Sequence, residues 1–143
     1  MPAGPGPMGF AYFAAVKAIG YTATSAFLKK GYGLRGSPKP NILGVGLTRT
    51  GIGLAAGALY GGLWIFGLNK LISGDSGPIL YYIFLLPVRL AEWYLLVWLF
   101  FDRKLQNRTL LWKSIAFGTL CSYALDAFGV GAAFVLPGGL WIC

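Results

Sequence analysis

Residues 78–101 read PILYYIFLLPVRLAEWYLLVWLFF, a nearly unbroken apolar and aromatic run with Arg89 and Glu92 at its middle. A helix rises about 1.5 Å per residue and a bilayer core takes about 20 apolar residues, so this run is long enough to cross one. Both charges would then stand near mid-membrane. There an ion costs roughly 2.5–3.5 kcal/mol even on the mildest insertion scale, so it must face protein or water and find a partner.

Composition extends that reading to the whole chain. Of the 143 residues, 57% are hydrophobic and only 11% are charged, against about 25% charged in soluble domains. Such a chain cannot cover a water-facing surface with polar groups. The sequence is therefore read as one integral membrane domain over 1–143, all-α and polytopic, with four transmembrane helices in an antiparallel bundle.

Upstream of the central run, 9–28 reads as a first spanning helix, closed by Lys29, Lys30 and the turn-rich GYGLRGSPKP. Lys17 falls near its centre, on a face shared with Phe13, Gly20, Tyr21 and Thr24. A second helix is expected over 42–68. In it Gly53, Gly57 and Gly61 recur every fourth residue, a pattern that lets membrane helices approach closely, and Arg49 stands one turn earlier on the same ridge. That position places Arg49 toward the membrane boundary, where a guanidinium reaches for head groups.

Within 78–101, Pro87 removes a backbone donor and is expected to kink the helix just before Arg89. The segment FFDRKLQNR follows, and then a fourth helix over 110–135. There Ser114, Gly118, Ser122 and Asp126 are spaced by four, so Asp126 points inward with them. Tyr81, Tyr82, Trp112 and Trp141 lie near span ends and read as interfacial anchors.

Charge orients the chain. The net charge of +8 comes from 12 Lys and Arg against Asp75, Glu92, Asp102 and Asp126. Most cations fall in the first and third loops, which the positive-inside rule makes cytoplasmic, leaving both termini on the non-cytoplasmic side. Anionic head groups of the lipid bilayer are the natural counterpart of those clusters, and no nucleic acid is expected. The opening MPAGPGPM lacks a cationic segment, so no cleaved signal peptide is expected. The Asn107-Arg108-Thr109 sequon lies in an expected cytoplasmic loop and reads as chance.

In this topology Lys17, Arg89, Glu92 and Asp126 reach comparable depth, two cations against two anions. Arg89 and Glu92 are three apart on one helix and can also pair with each other, but which cation takes which anion is not decided by the spacing. Trp93 beside them is placed to wall a pocket. The candidate binding residues are thus Lys17, Arg49, Arg89, Glu92, Trp93 and Asp126.

Their burial points to a polar cavity or pathway that binds or transports a small anionic or zwitterionic solute or a lipid head group, in a homo-oligomer. The alternative is a non-catalytic accessory or scaffold subunit of a larger membrane complex, in which the same charges fix helix register. An intramembrane enzyme ranks third. The chain holds no histidine to activate a serine or ligate haem or zinc, and two cysteines make no disulfide framework. No catalytic residue, metal or cofactor is expected.

Overall fold

The protein is described by a computed structural model covering residues 6–33, 40–68 and 77–132. These residues are all-helical: α1 (Pro7–Gly33), α2 (Ile42–Leu63), a π-helical turn (Trp64–Leu68), α3 (Gly77–Phe100) and α4 (Arg108–Ala132). Arg35, Lys39, Lys70, the turn up to residue 76, the expected end of the fourth helix near Val135, and Trp141 and Cys143 lie outside the described residues.

Local sequence explains where the helices begin and end. α1 continues through Lys29 and Lys30, expected above to close it, because lysine is a good helix former. Asn41 Oδ1 accepts from Leu43 N at 3.2 Å and caps α2. Asn107 does the same for α4, its Oδ1 accepting from Leu110 N at 2.9 Å. The residue that looked like a sequon is thus a helix cap. The turn before it closes through Leu105, held at φ 49°, whose N–H donates to Asp102 O at 3.2 Å. α3 runs through Pro87 without a break in the helix.

The helices pack in a ring, α1 against α2 and α4, and α3 against the same two. Chain neighbours run antiparallel: Tyr60 late in α2 meets Tyr81 early in α3, with ring centroids 5.0 Å apart. At the opposite end Tyr32 of α1 lies 5.3 Å from Phe101 just after α3. Apolar cores fill both ends. One gathers Leu28, Tyr32, Val45, Val97, Phe101 and Leu111; the other gathers Tyr60, Trp64 and Leu85, with Tyr81 and Tyr82 packed against it. These two tyrosines, expected as interfacial anchors, are half-buried in that aromatic cluster, whereas Trp112 is 61% exposed.

Close approaches are made at Gly46, Gly118 and Gly20. A Cβ on Gly46 would come 2.9 Å from the Thr22 backbone, so this glycine sets the α1–α2 crossing. Gly118 likewise lies flush against the Trp93 indole, and Gly20 against Leu125. Gly61 faces open space, and Gly53 faces two guanidinium groups instead of a helix backbone. Gly53 and Gly57 are buried as the ridge expects, but at positions 53 and 61 no helix backbone comes close, because periodicity marks a shared face and not what covers it.

Two helical segments, Ile42–Leu63 and Ile79–Phe100, are long and apolar enough to cross a membrane. α1 and α4 are as long but more polar, carrying Lys17, Lys29 and Lys30, and Arg108, Lys113 and Asp126. All four helices turn large apolar side chains outward, among them Ile19, Phe27, Leu59, Ile83, Leu120 and Phe128.

Candidate functional site: a buried chain of ion pairs

Between the two apolar cores lies a polar layer with contributions from every helix. Its hydroxyls are mostly silenced locally: Thr24 donates to Gly20 O, Ser25 to Tyr21 O, and Thr50 to Gly46 O. Each bond reaches back one turn and satisfies a group that would be costly to bury alone. The ionised side chains have no such local solution and meet across helices.

They form one continuous chain. Lys17 Nζ of α1 lies 2.7 Å from Asp126 Oδ1 of α4, in ion contact though outside hydrogen-bonding angles. The other oxygen, Asp126 Oδ2, accepts from Arg89 Nη2 of α3 at 2.9 Å. Arg89 Nη1 turns toward Glu92 Oε2 at 3.3 Å, and that same oxygen accepts from Arg49 Nη2 of α2 at 2.6 Å. All five side chains are at most 5% exposed.

Arg49 changes place relative to the sequence reading. Instead of reaching for a boundary it is fully buried, its guanidinium carbon 4.6 Å from the Tyr21 ring and 5.2 Å from the Trp93 ring. Seven residues into α2 is already about 10 Å along the axis. The aromatic faces attract the cation where water does not reach. The expected quartet is therefore a quintet, and the partner nearest Glu92 is Arg49, not Arg89.

Trp93 is fully buried beside the ion chain. Its Nε1–H donates to Ser122 Oγ at 2.9 Å, and its ring meets Tyr21 edge-on, 6.0 Å between centroids. Ser122 is the junction that sequence reasoning missed. It stood in the inward row with Asp126, but only the fold shows its oxygen receiving Trp93 and, at 3.4 Å, Arg49 Nη2. Tyr123, by contrast, donates its hydroxyl to Tyr82 O at 3.0 Å.

The arrangement is unequal in charge. Among the described residues three buried cations, Lys17, Arg49 and Arg89, face two carboxylates, Glu92 and Asp126, leaving one formal positive charge in excess. Arg49 Nε, Arg49 Nη1 and Arg89 Nε are buried with no acceptor among the described residues. Buried polar groups nearly always find a partner, so these donors mark a place that wants an acceptor. Comparison with protein-family models, curated proteins and solved structures finds no match, so the class rests on the fold and this site: described residues that form only helices, with many large apolar side chains exposed and five charged ones buried.

Proposed function

We propose that this chain is an integral membrane protein whose four helices cross the bilayer as an antiparallel bundle, and whose buried ion chain receives a small anionic or zwitterionic solute or a lipid head group for binding or transport. The observation that carries the functional reading is the surplus cation, together with guanidinium donors that lack acceptors, among the described residues. An acceptor carrying negative charge answers both at once.

The membrane reading is supported by inside-out polarity. A water-soluble protein rarely exposes apolar residues on every helix while burying five ionised groups. Charge bias sets the orientation in this proposal, with Lys29, Lys30, Arg103, Lys104 and Arg108 cytoplasmic and both termini on the other side. Four helices leave little width for a pathway, so a homo-oligomer is the expected assembly.

A second reading has its own observation. Glu92 and Asp126 each engage two cations, and Arg49 is held between two rings, as suits a device that fixes helix register in a scaffold or accessory subunit. Reconstitution separates the two. In liposomes, the first reading expects flux of, or thermal stabilisation by, some member of a panel of halides, nitrate, phosphate, carboxylates and zwitterionic amino acids, reduced in Arg49→Gln. No response to any member, from protein that is folded but dissociates without a partner, would favour the scaffold.

A further inference from the structure

We infer that the cleft between α1 and the start of α2 binds one anionic phospholipid of the cytoplasmic leaflet, an acyl chain lying along the cleft and the phosphate meeting Lys29 and Lys30. This site is separate from the buried ion chain and rests on the membrane reading above. The cleft has a volume of about 420 Å³. Ala18, Ile19, Thr22, Ala23 and Ala26 line it from α1. Ile42 and Leu43 close it from α2. Ile19, Ala23, Ala26 and Leu43 are exposed, so it opens on the outer face of the bundle.

The cleft follows from how the two helices cross. Gly46 seats against the Thr22 backbone, and beside that point α1 offers mostly alanines, too short to fill the space. The Thr22 hydroxyl donates to Ala18 O at 2.6 Å, so the wall presents an occupant with methyl and methylene groups. From Ala18 to Ala26 the helix rises about 12 Å. Half of a hydrocarbon core of about 30 Å is roughly 15 Å, so the cleft runs nearly the depth of one leaflet. Its inner end adjoins Lys17, at the level of the ion chain, and its outer end lies at the start of α2. An acyl chain fits that course, and each methylene buried there adds to affinity.

Charge at the outer end sets the head group. At 3.6 residues per turn the five α1 residues cover an arc of about 140°, and Lys29 and Lys30, one turn beyond Ala26, both fall within it. Lys29 is half-buried and Lys30 exposed, and among the described residues neither forms an ion pair. α2 begins at the same edge with no acidic residue in its first turn, so its positive end adds to theirs. An apolar cleft ending in cations has the order of chain and phosphate in a phospholipid. A soluble anion would leave the cleft unused, and a zwitterionic lipid would bring its own cation toward the lysines.

The test gives the purified full-length protein, in detergent, equal amounts of phosphatidylglycerol and phosphatidylcholine and counts retained lipid by native mass spectrometry. One phosphatidylglycerol per protomer, held in preference to phosphatidylcholine, is expected. Ala23→Phe, which puts a ring into the cleft from an exposed position, is expected to abolish that retention, and Ala58→Phe, exposed late in α2, to keep it. Lys29→Gln and Lys30→Gln are each expected to weaken phosphatidylglycerol binding about fivefold. Lys104→Gln, exposed in another loop, is expected to leave it unchanged.

Protein that stays monodisperse in buffer without detergent would overturn the membrane reading and this site together. Protein that needs detergent yet retains both lipids equally, or neither, would overturn the site alone, as would Ala23→Phe retaining phosphatidylglycerol like wild type. A dimer that Ala23→Phe splits, with lipid retention unchanged, would give the cleft to a second copy of the chain. If Ala23→Phe does not fold, the lysine variants decide, and unchanged phosphatidylglycerol affinity in both overturns the site.

Discussion

Glu92→Leu and Arg49→Leu cut the same 2.6 Å contact, yet the first is expected to be much the more damaging. Among the described residues, without Glu92 Arg49 keeps Ser122 Oγ at 3.4 Å and its two aromatic rings but no carboxylate, and Arg89 keeps Asp126. A buried cation stripped of its carboxylate costs about 3–5 kcal/mol. Without Arg49, the remaining Lys17, Arg89, Glu92 and Asp126 balance two against two, and Glu92 still has Arg89 at 3.3 Å. The loss is then mainly the cation's stacking on Tyr21 and Trp93, about 0.5–2 kcal/mol. The double variants discriminate further. Arg49→Leu with Glu92→Leu removes donor and acceptor together and leaves Lys17–Asp126–Arg89 intact, so most of the Glu92→Leu loss is recovered, with a coupling of about 1–3 kcal/mol. Arg89→Leu with Glu92→Leu leaves Arg49 stranded and recovers little. Equilibrium unfolding in mixed micelles, in gluconate buffer so that no small anion masks the charge, measures all five proteins. Equal destabilisation by the two single variants would refute this reasoning, as would better recovery with Arg89→Leu than with Arg49→Leu.

Packing yields a contrast between two glycines of α2. Gly46→Ala forces α1 and α2 apart at Thr22 and is expected to cost about 1–3 kcal/mol, while Gly61→Ala, with open space before it, is neutral or gains up to about 1 kcal/mol of helix propensity; thermal melts in detergent check both. Tyr123→Phe removes the donor to Tyr82 O and is expected to cost about 1 kcal/mol without altering any anion response. For orientation, a cysteine at exposed Lys104, in a variant without the native cysteines, is expected to react with an impermeant thiol reagent only after the cytoplasmic face is opened; labelling of intact cells would reverse the topology.

Much of this was legible in the residues themselves. Helical periodicity alone put Phe13, Lys17 and Tyr21 on one inward face of α1, and Ser114, Gly118, Ser122 and Asp126 on one of α4, because side chains three and four apart share a face whatever surrounds the helix. Composition and the lone charges in apolar runs likewise marked Lys17, Arg89, Glu92 and Asp126, since an ion there must find a partner. What the sequence could not contain is the partnership. Whether Glu92 takes Arg49 or Arg89 depends on the rotation and axial offset of α2 against α3, which many weak contacts decide together, including the flush seating of Gly46 on Thr22 and of Gly118 on Trp93. The same offsets carried Arg49 inward between two rings, turned a balanced quartet into a quintet with one charge to spare, and left two guanidinium groups facing each other over a glycine. Local spacing fixes which way a side chain points along its own helix, but what it meets there is a property of four helices at once.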